Sequence, residues 1–537
     1  MTNNEIAKHF SLLADLMELH DENAFKIKSY AFAGRTLNKR NEALSTLTLD
    51  ELENVEGIGK AIAAKILQLT QTGKLDLLEN YLAKTPIGVV EMLQLKGIGP
   101  KKIAQLWKEL EIESIGELEY ACQENRLVEL KGFGTKTQEN ILQQIQFLQQ
   151  NAHKFLWANL EELANEILAE IQNAYPEILV STCGDYRRKS IIVERVDFII
   201  ATTQNEIQEA LVEKYKQYPV HFYFCDTKHF YWNLLQLSSD KEHAGFLSFK
   251  TDTNKSFTSE KEIYVEAGFP FIAPELRDNK YEWKIIEENN LQNLIELQDI
   301  KGIVHTHTKF SDGANSLAEM ASYCKEQGFE YVVISDHSKS AFYANGMQEE
   351  RIFQQHREID KLNEQLAPFK IFKSIESDIL YDGNLDYDDD ILSTFDLIIA
   401  SVHSQLKMNE ERAMLRLIKA IENPYTTILG HLTGRLLLSR NGYPIDHQKI
   451  IDACAANKVS IELNANPYRL DIDYKWIAYC QEKNVPICIN PDAHNLRGVH
   501  DIRYGVFAAR KGGLLKANTL NTLTKDNFEK YLLHTKR

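Results

Sequence analysis

Proline is scarce in this chain, 12 in 537 residues, and glycine is modest at 25, which excludes collagen-like, polyproline and low-complexity architectures. Cysteine is scarce too. The seven cysteines, at 122, 183, 225, 324, 454, 480 and 488, are odd in number and never spaced as Cys-x-x-Cys, so neither a disulfide framework nor a cysteine-rich zinc finger is expected. No apolar run approaches the roughly 18 residues of a membrane span. Residues 1–10 (MTNNEIAKHF) lack a signal peptide's apolar core, so the expected location is cytoplasmic, with no membrane partner. An excess of positive charge is also missing. With 61 Lys+Arg against 77 Asp+Glu the net charge is −16, which argues against a surface built throughout for nucleic acid but leaves room for local basic faces and for carboxylates neutralised by metals. What is present is ordinary globular composition, 44% hydrophobic and 26% charged. The length suits about three or four domains of roughly 150 residues.

Residues 1 to about 150 read as amphipathic helices interrupted by three similar turns. These are Val55-Glu56-Gly57-Ile58-Gly59-Lys60, Leu95-Lys96-Gly97-Ile98-Gly99-Pro100 and Leu130-Lys131-Gly132-Phe133-Gly134-Thr135. Glycine lets backbone approach a ligand closely, and the free N–H groups at the next helix start point at an anion. A single such turn is as readily a plain helix cap. Three copies, each followed by lysine, favour a grip on phosphate, with Gly57, Gly59, Lys60, Gly97, Gly99, Lys101, Lys102, Gly132, Gly134 and Lys136 as the candidate DNA-binding residues. The turns resemble the helix-hairpin-helix motif. Together with the segment Glu22 to Tyr30 and the run Gly57 to Ile66, they resemble the small amino-terminal domain of family X DNA polymerases. That resemblance implies Lys65 as a candidate Schiff-base nucleophile of a 5′-deoxyribose phosphate lyase, supported by Lys26, Lys60 and Tyr30; a surface lysine on a phosphate-binding helix is the alternative.

From about 153, an apolar-periodic helix from Phe155 to Ile171 leads to a strand, to Cys183-Gly184-Asp185-Tyr186-Arg187-Arg188 and to a second strand from Ile191 to Ala201. This resembles the nucleotidyltransferase signature of the same family, Gly-Ser-x-Arg-Arg followed by a strand carrying Asp-x-Asp. Two carboxylates two residues apart share one strand face and reach one pair of metal ions. Here Arg195 stands where the first Asp is expected, Asp197 is the carboxylate left, and the odd offset of Glu194 turns it away. In Val220-His221-Phe222, His221 stands where the third carboxylate is expected. A guanidinium repels metal ions, so the expectation is a palm fold without two-metal catalysis, with Arg195 paired to Asp197 or gripping a phosphate.

From about 290 short apolar runs alternate with helical stretches. Seven runs stand out: Gly302 to His305, Tyr331 to Ser335, Ile371 to Ile375, Leu397 to Val402, Thr427 to Gly430, Val459 to Leu463 and Val485 to Asn490. Six end in a residue type that binds metal, which is where a parallel β/α barrel builds its active site. The candidate metal ligands are His305, His307, Asp312, His337, Glu376, His403, His431, Asp492 and His494, with His-x-His expected on one strand face and Glu376 as a bridging group. One such histidine is readily a polar residue beside a helix cap; so many at strand exits are not. Mixed N/O donors suit Mn²⁺ or Zn²⁺, with Mg²⁺ also compatible, and nine ligands call for two or three ions. Asp336 and Asp378 are expected to orient ligand imidazoles. Arg435 and Arg469 are candidate phosphate clamps, with structural ion pairs as the alternative.

The phrases HTHTKFSDG, ISDHS, SVHS, GHLTGRLLLSRNGYPID, IELNANPYRLDID and NPDAH resemble the PHP (polymerase and histidinol phosphatase) domain fused to bacterial family X polymerases. The resemblance implies helix-hairpin-helix domains at 1–82 (lyase-like) and 83–152 (fingers-like), a degenerate α+β palm at 153–228, a thumb at 229–289 and a distorted (β/α)7 PHP barrel at 290–537. It also implies a metal-dependent 3′–5′ exonuclease of DNA repair acting on DNA 3′ ends, gapped or single-stranded. An active gap-filling polymerase with an accessory nuclease and a non-catalytic DNA-binding scaffold are the competing readings. Nothing in the sequence points to a protein partner.

Overall fold

The computed structural model describes residues 1–38, 43–55, 58–123, 126–278 and 280–535. It divides into two compact units, Met1–Ala152 and His153–Arg537.

The first unit is helical. Three helices, α1 (Lys60–Thr72), α2 (Pro100–Leu110) and α3 (Thr135–Asn151), each start at the second glycine of a turn: Gly59, Gly99 and Gly134 are their N-caps, extended in backbone and without a side-chain cap. The first glycine of the second and third turns, Gly97 and Gly132, has φ of +87° and +89°, a region that L side chains avoid. Between the glycines, Ile58, Ile98 and Phe133 are buried and anchor each turn to the helical core. The remaining glycine of the first turn, Gly57, lies outside the described residues.

In the second unit the helix expected from Phe155 to Ile171 begins only at Glu161 and runs to Ala174. Phe155–Leu156 instead pair antiparallel with Ile192–Val193, so strand pairing overrides the helical periodicity there. The expected strand from Ile191 to Ala201 is correspondingly split. Its first part joins that two-stranded ribbon, and its second, Val196–Ala201, is the centre of a three-stranded sheet of β1 (Val180–Cys183), β2 (Val196–Ala201) and β3 (Val220–Cys225). β1 and β2 are antiparallel and β2 and β3 parallel. The following helices pack around their own core of Trp232, Leu247, Tyr264 and Ile285.

Seven parallel strands follow: β4 (Gly302–Thr306), β5 (Tyr331–Ile334), β6 (Lys370–Asp378), β7 (Leu397–Ser401), β8 (Ile428–Leu429), β9 (Ser460–Asn464) and β10 (Ile487–Asn490). They pair in chain order. A bridge from Thr306 to Ala493, with Ala493 N–H donating to His305 O at 3.2 Å, nearly closes the sheet into a barrel. β6 is longer than its apolar run because pairing with β7 continues from Ser374 to Asp378, so Glu376 lies inside the strand and not beyond it. Alternation sets the chemistry of the interior. Phe372, Ser374 and Glu376 share one face of β6, as Cys488 and Asn490 share one face of β10, so the lining changes from apolar to polar toward the C-terminal ends. Phe528 of the C-terminal helix stacks on Tyr331 at 4.7 Å and joins a buried cluster with Val304, Phe372 and Cys488. The opposite neighbours Ile371, Ile375, Ile461 and Ile489 face the surrounding helices.

Candidate metal centre

Glu376 is the hub of the barrel's C-terminal mouth. Its Oε1 lies 2.9 Å from His431 Nε2, 3.1 Å from His403 Nε2 and 3.3 Å from His305 Nε2, and its Oε2 lies 3.0 Å from His337 Nδ1 and 3.6 Å from His307 Nε2. Asp492 Oδ1 lies 3.1 Å from His307 Nε2 and 3.5 Å from His305 Nε2, and Asp312 lies 3.4 Å from His494 Nε2 and 3.7 Å from His337 Nε2. Three overlapping groups could each hold an ion: His307, Asp312, His337 and His494; His305, His307 and Asp492; and His337, Glu376 and His403. His431 belongs to none of them and reaches the cluster through Glu376. The first group opens to solvent through His494 and Asp312, whereas the second is buried.

His305 and His307 converge differently from the expected regular His-x-His strand face. β4 shifts register between Ile303 and Thr306, and His305 has φ of +67°. Asp492 has φ of +53°. Two candidate ligands thus hold a backbone conformation that non-glycine residues rarely adopt, a strain that persists where surrounding structure imposes it. Gly313 supports this bend, because a Cβ there would meet the carbonyl of His307.

The strand without a candidate ligand supplies a carboxylate that spacing did not reveal. Glu462, on β9 and fully buried, accepts from His305 Nδ1 at 2.6 Å, from the His431 backbone N–H at 2.9 Å and from Asn490 Nδ2 at 2.7 Å. Asp378 pairs with His403 Nδ1. Asp336, expected to orient an imidazole, instead accepts from Thr308 N–H and Oγ1, both at 2.7 Å, and from Ser311 Oγ, and so shapes the loop between His307 and Asp312.

Burial opposes charge at Glu376, Asp492, His305, His403 and His307, and at the first four the neighbours outweigh it. Surrounding imidazoles hold the carboxyls of Glu376 and Asp492 well below their ordinary range despite burial. Against the same burial, Glu462, Glu376 and Asp492 hold His305 well above its ordinary value, and Glu376 and Asp378 raise His403 to about 10. His307 is driven down by burial, with His494 and His337 adding to the effect. His305 Nε2 and Glu376 Oε2 are buried with no hydrogen-bond partner of acceptable geometry among the described residues. Buried donor atoms of this kind, aimed at one another and not satisfied, fit a divalent cation.

Arg435 donates to Arg469 O at 2.9 Å, to Asp473 at 2.8 Å and to Leu470 O, so its guanidinium holds the 469–473 loop. This corresponds to the structural alternative for that residue. Arg469 reaches the centre, its Nε 3.8 Å from Asp492 Oδ2. In the three-stranded sheet, Arg195 Nε donates to Asp197 at 2.8 Å, and Asp197 stands in register with His221 on β3. Arg187 pairs with Glu260, and Arg188 pairs with Asp185 and, at 3.1 Å, with Asp278. In the helical unit, Lys60 and Lys101 are highly exposed, each 3.9 Å from one carboxylate, and Lys136 is exposed. Lys102 Nζ lies 5.1 Å from the Phe133 ring centroid. Lys65 Nζ lies 5.9 Å from the Tyr30 ring centroid and donates to Ala61 O at 3.3 Å; Lys26 pairs with Glu22 at 3.5 Å.

Family models for a helix-hairpin-helix domain match residues 1–75, for a SAM-like helix-hairpin-helix tandem residues 89–146, and for a PHP domain residues 304–466. The chain is similar to the DNA polymerase/3′-5′ exonuclease PolX of Bacillus subtilis (strain 168), 34% identical over 571 aligned residues that cover 99% of each chain. Its C-terminal part is similar to a probable phosphatase of Thermoanaerobacter sp. (strain X514), 27% identical over 251 residues, 43% of this chain and 94% of that protein. It is also similar to a probable phosphatase of Syntrophotalea carbinolica, 25% identical over 233 residues, 41% of this chain and 90% of that protein.

Proposed function

The chain belongs to the PolX family of DNA polymerases, which carry helix-hairpin-helix domains and a C-terminal PHP domain, and from that premise we propose that it is a metal-dependent 3′–5′ exonuclease acting in DNA repair. The observation that carries this reading is the set of three overlapping donor groups around Glu376, at the mouth of a barrel similar to proteins named as probable phosphatases.

In this reading His305, His307, Asp312, His337, Glu376, His403, His431, Asp492 and His494 hold two or three Mn²⁺ or Zn²⁺ ions. Such ions, when bound, acidify a water and offset negative charge on the phosphoryl group. Glu462 fixes the ring of His305, and Asp378 that of His403, so that each presents its other nitrogen inward. Arg469 offers a guanidinium to the phosphodiester, and Asp312 and His494 line the open side where the strand end enters.

The helix-hairpin-helix turns of 1–82 and 83–152 grip the DNA backbone. The region 153–228 is a palm retained as a scaffold, and 229–289 is its thumb. Arg195 neutralises Asp197, His221 offers no carboxylate, and Arg187 and Arg188 are engaged by carboxylates, so template-directed synthesis is absent or weak. The Bacillus subtilis relative is named a polymerase as well as an exonuclease, which makes side-by-side assays the decisive experiment. Purified protein is expected to release nucleotides from a 3′ end with Mn²⁺ and not to extend a primer. His305→Ala with His307→Ala, or Asp492→Ala, removes bound metal and that release while DNA binding persists. Release that survives both substitutions, or primer extension abolished by Asp197→Ala, would overturn the reading.

A further inference from the structure

Beside the candidate centre, the loops that follow β6 and β7 form a groove of about 460 Å³. Tyr381, three residues beyond Asp378, and Gln405, two residues beyond His403, both line it, together with Lys407, Glu411 and Arg412. The groove is therefore built on the two chain segments that leave the centre at a candidate ligand, His403, and at its carboxylate partner, Asp378. Its base is rigid. Arg416, fully buried on the helix Glu410–Glu422, donates to Leu380 O at 3.0 Å, to Ser404 O at 3.1 Å and to Ile379 O, so one guanidinium ties both loops to the same helix.

Tyr381 is 51% exposed, and the guanidinium of Arg412 lies 4.3 Å from its ring centroid. An aromatic ring this open contributes little to the core, and one backed by a cation is held as a platform. Lys407 is exposed on the same lining. A half-open aromatic with two cations beside it, next to a phosphoesterase centre, matches one ligand chemistry: an unpaired nucleobase for the ring and its phosphates for the cations. A duplex keeps its base faces stacked internally and cannot use the ring in this way.

We propose that this groove binds the unpaired 3′-terminal segment of the DNA strand being cleaved, with a base stacked on Tyr381 and backbone phosphate facing Lys407 and Arg412. The proposal rests on the exonuclease reading and deepens it: the substrate presented to the barrel is single-stranded at its end, whether free or frayed from a duplex.

The test uses the full chain. With oligothymidylate and Mn²⁺, Tyr381→Ala should raise KM about tenfold or more, the range expected for losing one base–aromatic stack, and Tyr381→Phe should restore it. Hydrolysis of bis-p-nitrophenyl phosphate, which has no base to stack in sequence with a strand, should stay within about twofold of the parent. A KM unchanged by Tyr381→Ala, or an equal loss on both substrates, overturns the proposal. Binding is read independently by ultraviolet crosslinking of metal-free protein to an oligonucleotide with 5-iodouracil near its 3′ end. The expected adduct is on Tyr381, and Arg412→Ala weakens it. Adducts confined to other barrel residues or to the helical unit overturn the groove. If the parent protein cleaves no nucleic acid, the exonuclease reading alone fails, and the crosslink still decides the groove.

Discussion

Glu462 shows how much of the candidate centre depends on a residue that holds no place in its donor groups. It sits 157 residues from His305 in the chain, yet its carboxylate accepts from the His305 ring, and it also accepts from the backbone of His431. Both contacts orient groups that face Glu376. Glu462→Gln keeps the shape but removes the charge that sets the proton on His305 Nδ1. Metal affinity should fall about 10- to 100-fold while the barrel stays folded, since groups that orient ligands typically contribute that much. Titration of metal-free protein with Mn²⁺, with circular dichroism as the control for folding, measures it; unchanged affinity would reduce Glu462 to a packing role. Arg435 and Arg469 make the complementary point. Both are candidate phosphate clamps by sequence, but one is consumed by loop carbonyls and Asp473 while the other approaches Asp492.

At the scale of elements, the second and third glycine turns use one physical device. Positive φ at Gly97 and Gly132 turns the chain, the residue between the glycines anchors it, and the uncapped start of α2 or α3 is left facing outward. The first N–H groups of a helix have no intrahelical acceptor, so such ends suit phosphate oxygens. Replacing Lys60, Lys101, Lys102 and Lys136 by Ala should weaken DNA binding with little sequence dependence. The slope of log affinity against log salt should flatten by about one unit for each lost phosphate contact. Fluorescence anisotropy over a salt series reads both quantities, and an unchanged slope would move the DNA site away from the turns. Lys102 is more than a simple charge at one turn, because its ammonium also lies over the Phe133 ring of the next.

At the scale of the molecule, the barrel does not stand alone within its unit. Arg503 pairs with Glu161 at 2.6 Å, Arg510 with Glu275 at 2.7 Å and the buried Lys511 with Asp278 at 2.5 Å, while Trp157 packs edge-on against Phe507 at 5.6 Å. These contacts bind the barrel to the region 153–228 and to the helices after it. A fragment of 153–537 should therefore keep full activity on bis-p-nitrophenyl phosphate while its KM for long DNA rises at least about tenfold, because the salt-sensitive grip is gone. A fragment from 290 would expose the surface around Phe507 and separate Arg510 and Lys511 from their partners, so it should melt at a lower temperature than 153–537. Thermal melts of the two fragments, compared in the same buffer, check the order; equal melting would show that residues 153–289 contribute nothing to the stability of the barrel.

What the sequence determined by itself was whatever is local. The glycine turns, the seven apolar runs and the placement of candidate ligands at their ends are written within a few neighbouring residues. The periodicity from Phe155 to Ile171 was local too, and misled, because pairing with Ile192–Val193 is a partnership across the chain that periodicity does not encode. Tertiary structure alone decided the rest: that Glu376 lies within reach of five imidazoles, that His305 turns inward through a left-handed backbone, that Glu462 joins two distant strands, and that Arg416 ties two loops into one groove. The reason is physical. A near-closed barrel brings the ends of seven strands to one mouth, and the hydrogen bonds and charges that act there depend on distances across it, which no spacing along the chain specifies.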